Sequence, residues 1–299
     1  MNATVQLLHS VLPASVGLRV KINSAHPSAH ILGTERMGSG TIVDPTGIIL
    51  TVNYVALGAE TIEVTLLDET RLVGQVIAQD FYSGLAAIKI PGSDYRAVRL
   101  GSSEGLAPGT EVFILAAAGG SQRRVNNGAI MSLDRFDAFW EYSLERGIVT
   151  TARNPGLGGG GLFTNAGAMV GVVSLDLNEV GRFTLGVPVE HWTAHTQELL
   201  DFGRRTTRPP RAWVGVYCYM MSEHVIIAGV LPGTPSERGG LRPGDVVVAV
   251  DDQPVTERHD LYARLWQHRP GDVIRFQVFR DDAVREVLVE SADAEAFFA

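Results

Sequence analysis

Two histidines are spaced for chemistry on a predicted helix. His191 and His195 stand at i and i+4, which places both imidazoles on one helix face, with Glu190 and Glu198 nearby. Two imidazoles one turn apart can hold a metal ion. A third ligand is not evident, and histidines are common on the exposed face of a surface helix. We therefore predict no metal and no cofactor, with a metal at this pair as the open alternative.

The chain has a single cysteine, Cys218. One cysteine excludes an intrachain disulfide and a cysteine-based zinc site. Cys218 lies between Tyr217 and Tyr219 on a predicted strand, so we interpret it as a small buried hydrophobic residue.

Composition limits the class of protein. The 299 residues include 25 Lys+Arg and 33 Asp+Glu, giving a formal net charge of −8, and 45% are hydrophobic. This is a globular balance, and the length predicts two domains. A net negative chain without a basic stripe argues against nucleic acid as a partner.

The amino-terminal segment lacks the basic start and the apolar run of a signal peptide. We therefore expect a cytoplasmic protein, or a periplasmic one if the start is processed or truncated. No stretch approaches the roughly 18 apolar residues that a membrane helix needs, so we predict no membrane insertion.

The first two thirds of the chain show short apolar runs of period two, separated by glycine and proline turns. Residues 38–51 are typical, with a strand, an Asp-Pro-Thr-Gly turn and a second strand. Many short strands with almost no helix predict an antiparallel barrel or sandwich. The only helical pattern here is at 189–202, ending at Gly203.

A second unit of about 90 residues follows a Pro-Pro segment among arginines and threonines, which predicts a short, solvated linker. Strands are predicted at 213–217, 225–230, 246–250, 274–279 and 285–290, with one helix at 258–268. The predicted organisation is a first domain at 1–203, a linker at 204–211, a second domain at 212–291 and a loose or docking tail at 292–299.

Several segments together carry a family resemblance. They are residues 38–51, the run Asn-Pro-Gly-Leu-Gly-Gly-Gly-Gly-Leu-Phe at 154–163, Trp-Val-Gly-Val at 213–216, Gly-Thr-Pro-Ser-Glu-Arg-Gly-Gly-Leu-Arg-Pro-Gly-Asp-Val-Val at 233–247 and Pro-Gly-Asp at 270–272. In this order they resemble the HtrA/Deg family of trypsin-like serine proteases with a carboxy-terminal PDZ domain. The resemblance implies a mainly β fold, a chymotrypsin-like double β-barrel followed by a PDZ domain.

The family's catalytic positions hold other residues in this chain. Alignment on the flanking motifs places Tyr54 at the histidine, Gly84 at the aspartate and Gly158 at the nucleophilic serine. Glycine offers no side chain, and a phenol with an ordinary pKa near ~10 is a poor general base at neutral pH. We therefore predict no catalytic residue at these positions and no enzyme activity. The chain would then be a pseudoprotease.

The backbone beside the lost nucleophile retains one capacity of the family. By resemblance, the N–H groups of Gly156, Leu157 and Gly158 form an oxyanion-hole-like loop that positions an anion or carbonyl. Asp80, four residues before Gly84, is either a turn or cap aspartate or part of a displaced active site.

The second unit keeps what peptide binding requires. The resemblance makes Trp213, Val214, Gly215 and Val216 a loop that holds a peptide's terminal carboxylate. It also makes Leu261 and Leu265 of the helix the opposite wall of the last side chain's pocket. For Leu261, pocket wall and plain core stay equally open, and a PDZ fold with a closed groove is the alternative for the whole unit.

Aromatic residues cluster in the segment Phe-Asp-Ala-Phe-Trp-Glu-Tyr at 136–142, between predicted strands where the family has a long loop. The cluster is either a contact site or a loop that packs on the barrel.

These observations predict a non-catalytic, protein-binding scaffold or regulatory subunit whose PDZ domain docks protein C-termini. Its partners are other proteins, including an active relative or a larger complex. A homo-oligomer, a trimer by resemblance, is also implied. The alternatives are a serine-type or otherwise displaced hydrolase, and a permanent structural subunit of a larger complex.

Overall fold

The computed structural model describes residues 3–178 and 181–299, and its backbone divides into two compact units. The first comprises the chain up to Arg135 together with Glu145–Thr206. The second comprises Phe136–Leu144 and Thr207–Ala299. The predicted first domain at 1–203 included the segment 136–144, which the structure instead places with the second unit.

Strands dominate the described residues. Numbered along the chain, they are β1 Ser15–Ile22, β2 Glu35–Asp44, β3 Ile48–Val52, β4 Ala59–Thr65, β5 Arg71–Asp80, β6 Leu85–Lys89, β7 Arg99–Leu100, β8 Glu111–Ala117, β9 Arg123–Ser132, β10 Phe136–Asp137, β11 Ser143–Leu144, β12 Ile148–Thr150, β13 Gly161–Thr164, β14 Ala168–Leu177, β15 Phe183–Pro188, β16 Val216–Met221, β17 His224–Val230, β18 Val246–Val250, β19 Gln253–Pro254, β20 Val273–Arg280 and β21 Ala283–Glu290.

The helices are short. They are α1 Ala3–Val11, α2 Pro27–Leu32, α3 Asn53–Ala56, α4 Glu190–Thr193, α5 Thr196–Phe202, α6 Pro235–Gly239, α7 Arg258–Leu265 and α8 Ala294–Phe297.

Two barrels form the first unit. The first barrel closes in the order β1-β2-β3-β6-β5-β4, because β4 pairs back onto β1. The second has the order β13-β8-β9-β12-β15-β14, closed by the β13–β14 pairing, with β7 added in parallel to β14. Closure satisfies the backbone groups that open strand edges would expose.

Apolar side chains that alternate along these strands fill each barrel. Ile49 and Ile88 lie fully buried in the first barrel, and Leu162 does so in the second. The Phe113 and Phe163 rings stack with their centroids 5.2 Å apart. Period-two alternation in the sequence therefore corresponds to the inward-facing side of each strand.

The predicted helix at 189–202 is divided in two. α4 ends at Thr193, and His195 adopts φ −130° at the start of α5, outside the helical region. Gly203 ends α5 with φ +71°, the left-handed conformation that glycine adopts without strain.

The second unit is a six-stranded sheet with short helices. Its path is β16-β17-β18-β20-β21, and β19 pairs with β18. α7 buries Leu261, Tyr262 and Leu265 in the core of the unit, where they lie with Phe276 of β20.

The tail docks on the second unit. The Trp213 ring lies 4.9 Å from the Phe297 ring and 5.7 Å from the Phe298 ring, measured between centroids. The Trp213 N–H also donates to the Ala292 carbonyl over 2.9 Å. Of the two predicted alternatives for the tail, the structure shows the docked one.

The predicted linker is only partly solvated. Arg205 is 9% exposed, and its guanidinium lies 3.4 Å from the Glu198 carboxylate and 3.9 Å from that of Asp80. An ion pair with two carboxylates explains how an arginine of the linker is buried on the first unit.

Within the described residues, no helix has both the length and the apolar character required to cross a bilayer. This architecture confirms the predicted fold class, mainly β with a double barrel followed by a smaller second domain.

An ion pair that joins a turn to the sheet offers a stability test of the second unit. Asp245, 1% exposed, accepts two hydrogen bonds from the Arg280 guanidinium, over 2.5 and 2.6 Å, and one from the Arg242 N–H over 2.8 Å. We predict that Asp245→Asn lowers the free energy of unfolding by about 3 kcal/mol, because it leaves Arg280 without its counter-charge. Urea denaturation followed by circular dichroism measures the change.

The matched control is Asp282→Asn, the same chemical change at an exposed position. Asp282 has φ +57°, a conformation that asparagine also tolerates. Equal losses in the two variants would contradict the assigned role of the Asp245–Arg280 pair.

Candidate functional site

The three positions aligned with a catalytic triad come together in the first unit. Tyr54 lies on α3, and the N–H of the preceding Asn53 donates to the Gly84 carbonyl over 2.7 Å. A Cβ atom added to Gly158 would lie 2.1 Å from the Tyr54 hydroxyl oxygen. The fold thus places positions 54, 84 and 158 around one point.

Tyr54 is a hydrogen-bond donor in this arrangement. Its hydroxyl donates to the Ser174 carbonyl over 2.7 Å. Burial, with a smaller effect of the Asp176 carboxylate, raises the pKa of Tyr54 to about 12. The phenol therefore stays protonated at neutral pH and cannot accept a proton as the family's histidine does.

Gly158 and Tyr54 are sterically complementary. The Tyr54 hydroxyl occupies the space that a side chain at position 158 would enter. The Gly158 carbonyl accepts a hydrogen bond from the Ser39 N–H over 2.7 Å, which fixes the backbone beside it. A serine at position 158 would thus overlap the Tyr54 phenol.

The loop predicted to act as an oxyanion hole uses its N–H groups internally. The Gly156 N–H donates to the Asn154 side-chain oxygen over 3.2 Å, and the Leu157 N–H donates to the Ala117 carbonyl over 2.8 Å. These two of the three predicted donors are therefore not available to an incoming carbonyl, because both already have acceptors.

Asp80 is arranged as a turn aspartate. Its carboxylate accepts hydrogen bonds from the Tyr82 N–H over 3.0 Å and from the Ser83 hydroxyl over 2.6 Å. It is 2% exposed and lies 3.9 Å from the Arg205 guanidinium. These contacts stabilise the turn that leads to Gly84.

The histidine pair does not share a continuous helix. His191 lies on α4, and His195 precedes α5 and lies 3.8 Å from the Glu198 carboxylate. The structure, over the residues it describes, contains no group of three or more His, Cys, Asp or Glu side chains suited to a metal ion.

The second unit contains a carboxylate held by consecutive backbone N–H groups. One Glu141 oxygen accepts from the Gly215 N–H over 2.7 Å and from the Val216 N–H over 3.1 Å, and the other accepts from the Val214 N–H over 3.0 Å. Gly215 has φ +83°, and a Cβ there would lie 2.6 Å from Thr234. Only glycine therefore allows this turn of the loop.

The residues before Glu141 extend along the adjacent strand. Trp140 forms an antiparallel bridge with Tyr217 of β16, and the Cys218 N–H donates to the Phe139 carbonyl over 2.6 Å. Main-chain pairing of this kind adds a strand to a sheet edge.

Side chains of α7 hold the same segment. The buried Tyr262 hydroxyl donates to the Ala138 carbonyl over 2.7 Å, and the Arg258 guanidinium donates to the Asp137 carbonyl over 2.7 Å. The Arg258 guanidinium also lies 5.5 Å from the centre of the Phe139 ring. The segment 136–144, here called the groove segment, thus lies between β16 and α7.

The other predicted peptide-binding residues have different surroundings. Trp213 is directed to the tail, because its ring packs against α8. Val214, Val216, Leu261 and Leu265 are at most 2% exposed and belong to one apolar core cluster. With the groove segment in place, the structure shows core packing at Leu261.

Glu141 was not predicted as a site residue. The aromatic cluster around it was recognised, with contact or packing as the alternatives. The sequence feature that could have identified Glu141 is a carboxylate among these aromatic residues, in a chain that also contains a carboxylate-binding loop.

Burial raises the pKa of Glu141 to about 7, and the N–H groups of Val214, Val216 and Gly215 partly oppose this rise. Burial raises the pKa of Cys218 to about 11 and the pKa of Tyr262 above its ordinary value, so both neighbours are neutral near pH 7. Of these three groups, Glu141 is therefore the one whose pKa lies near neutral pH.

Sequence profiles match both parts of the chain. The trypsin-like peptidase domain profile matches residues 38–172, and the PDZ domain profile matches residues 211–290.

Curated relatives match most of the chain. A protein of Pseudomonas savastanoi pv. phaseolicola (strain 1448A / Race 6) named "Probable periplasmic serine endoprotease DegP-like" is 29% identical over 275 residues, which covers 86% of this chain and 56% of the relative. A protein of the same name from Hahella chejuensis (strain KCTC 2396) is 29% identical over 268 residues, covering 85% of this chain and 56% of the relative. The chain thus spans about half the length of these relatives.

Solved structures share the fold. The HtrA-type protease AlgW, determined with a tripeptide, has a TM-score of 0.59 at 24% identity, covering 97% of this chain and 96% of that one. A serine endoprotease from Yersinia pestis has a TM-score of 0.58 at 21% identity, covering 98% of both chains.

These findings correct one prediction. The prediction that the chain is not an enzyme is wrong by these comparisons, because the curated relatives are named serine endoproteases. The matches point to a protease family, although positions 54, 84 and 158 hold tyrosine and two glycines.

The contact between Tyr54 and position 158 gives a test. We predict that Gly158→Ala lowers the free energy of unfolding by about 1–3 kcal/mol, because the new methyl group overlaps the Tyr54 hydroxyl. In a Tyr54→Phe background the same substitution should cost less, since the overlapping oxygen is absent. Urea denaturation of the four proteins measures the difference.

The control is Gly105→Ala, where an added Cβ meets nothing within 4 Å. This variant should unfold like the parent protein. Additive effects of Gly158→Ala and Tyr54→Phe would show that the two positions do not compete for space.

The pKa of Glu141 gives a prediction about pH. The value of about 7 in the groove exceeds the ordinary 4.5, so docking of the groove segment takes up a proton. Docking is then strongest below about 4.5 and weakens as the pH rises through about 7. In ¹⁵N-labelled protein, the Gly215 amide resonance should shift between about pH 5.5 and about pH 8 toward its position in Glu141→Ala.

The Glu141→Ala variant is also the control for this titration. Its Gly215 amide should show no transition near pH 7, because the titrating carboxyl is gone. A transition that persists in this variant would assign the pH dependence to another group.

Proposed function

We propose that this chain, which belongs to the HtrA/DegP family and carries a trypsin-like domain followed by a PDZ domain, acts as a protein-binding scaffold or regulatory subunit whose PDZ domain binds the free C-termini of other proteins. The observation that carries the proposal is the loop 214–216, whose consecutive N–H groups are directed at one carboxylate oxygen pair. A peptide's terminal carboxylate has the same two oxygens.

The strand beside the loop supports an extended ligand. β16 already pairs with an added segment through the backbone of Tyr217 and Cys218. Main-chain pairing gives affinity for any extended peptide, and side chains near the carboxylate give specificity. By the resemblance, Val214 and Val216 would flank the pocket of the last side chain, which favours a peptide that ends in an apolar residue.

Peptide binding tests this proposal. We predict that fluorescent peptides with a free apolar C-terminus bind the chain, measured by fluorescence anisotropy. The same peptides with an amidated C-terminus should bind at least about tenfold more weakly. Amidation removes the charged carboxylate that would accept hydrogen bonds from the three N–H groups of the loop 214–216. Equal binding of the two peptide forms would contradict carboxylate recognition.

The names of the relatives favour a second candidate function, peptide hydrolysis in the first unit. Gly84 and Gly158 carry no side chain, and Tyr54 stays protonated near neutral pH. Hydrolysis would therefore use a nucleophile and a base outside these three positions. Asp80 and Ser83 are already joined to each other in a turn.

Two measurements test hydrolysis. A hydrolase of this kind releases fragments from casein, and a serine-type one also reacts with a fluorophosphonate probe. Heat-inactivated protein is the control for both. If neither signal exceeds that of the heat-inactivated control, hydrolysis is excluded and protein binding remains as the function.

Protein binding extends to assembly. We include in the proposal a homo-oligomer, or an assembly with an active relative or a larger complex. Size-exclusion chromatography with light scattering on the purified chain measures its own oligomeric state. The same column run on native extract shows whether the chain occurs outside a larger complex.

A further inference from the structure

The carboxylate-binding loop is occupied in this structure by the chain itself. The Glu141 carboxylate takes the N–H groups of Val214, Gly215 and Val216. These are the donors that the proposed function assigns to a partner's terminal carboxylate. Two carboxylates cannot accept from the same three N–H groups, since each group donates one proton.

The occupant fills more than the carboxylate position. Its residues Phe139 and Trp140 pair with Cys218 and Tyr217, using the strand edge that an incoming peptide would need. Glu141 follows them in the chain, at the end of the paired stretch. The order, an extended stretch and then a carboxylate, is that of a peptide C-terminus bound by strand addition.

The groove segment is built to stay in this place. β10 and β11 pair with each other through Phe136 with Leu144 and Asp137 with Ser143, so the segment forms a hairpin. The Trp140 and Tyr142 rings stack with centroids 6.2 Å apart, and Ala138 and Leu144 are 1% exposed. A hairpin with buried apolar residues pays little of the ordering cost of a free peptide.

We propose that the groove segment is an internal ligand of the PDZ domain, with the Glu141 side chain standing in for a terminal carboxylate, so that a partner's C-terminus binds only by displacing it. This inference rests on the proposed function, that the loop binds C-termini. The partner it fits is a protein with a free C-terminus that follows an extended stretch and is presented at high local concentration. Because of this competition, the apparent affinity for the partner equals the intrinsic affinity multiplied by the fraction of chains whose groove is free.

The experiment compares full-length variants by anisotropy, with the same peptide carrying a free apolar C-terminus. Glu141→Ala removes both oxygens that occupy the loop, and we expect the peptide to bind at least about tenfold more tightly than to the parent chain. The matched control is Glu223→Ala, an exposed glutamate of the same unit. Its affinity should equal that of the parent chain.

A second variant weakens the segment without removing the carboxylate. Phe139→Ala deletes a ring that is 42% exposed and that contacts Arg258 and Trp140. We expect a smaller gain in peptide affinity, about threefold, because only part of the docking free energy is lost. The spectrum of the Gly215 amide reports in each variant whether the loop is folded and whether the segment has left it.

The outcomes separate the two proposals. Tighter binding to Glu141→Ala, with Glu223→Ala unchanged, supports the internal ligand. Equal binding to the parent chain and Glu141→Ala overturns the internal ligand but leaves C-terminal recognition in place. Weaker binding to Glu141→Ala also overturns it, by making Glu141 part of the partner's site. Absence of binding to every folded variant overturns the proposed function itself.

Discussion

A buried carboxylate requires hydrogen-bond donors to replace water. In the second unit, three consecutive backbone N–H groups donate to the Glu141 carboxylate. The turn at Gly215 directs these N–H groups to one side, and its φ of +83° is accessible to glycine at little cost. The strand β16 starts at the end of this loop, and its edge pairs with the segment that carries the carboxylate. Loop, strand edge and helix α7 are thus one receptor, and Glu141 with its hairpin is its occupant.

The first unit follows another constraint, the packing at one crowded point. Where the family has a base and a nucleophile, this chain has a large side chain at Tyr54 and none at Gly158. The phenol fills the space, and its hydroxyl satisfies the Ser174 carbonyl. In the loop 156–158, the Gly156 and Leu157 N–H groups form hydrogen bonds within the protein. The double-barrel fold therefore has a buried phenol packed against a glycine at this point.

The architecture could be predicted from sequence because the apolar alternation, the glycine turns and the ordered motifs all indicated the same fold. Boundaries such as β18 at 246–250 were predicted to the residue. The helix at 189–202 was predicted as continuous, whereas the structure breaks it near His195. The helical spacing of apolar residues continues across the break, so this spacing alone does not predict where the helix is interrupted.

The sequence by itself determined the residue types at positions 54, 84 and 158 and the loop that can hold a carboxylate. These follow from local motifs, in which side-chain chemistry and backbone freedom are properties of single residues. Only the tertiary structure decided what fills that loop. Glu141 and Gly215 are 74 residues apart in the chain, and no local pattern encodes their contact. Their pairing depends on the fold, which places the groove segment with the second unit and provides the donors its carboxylate requires.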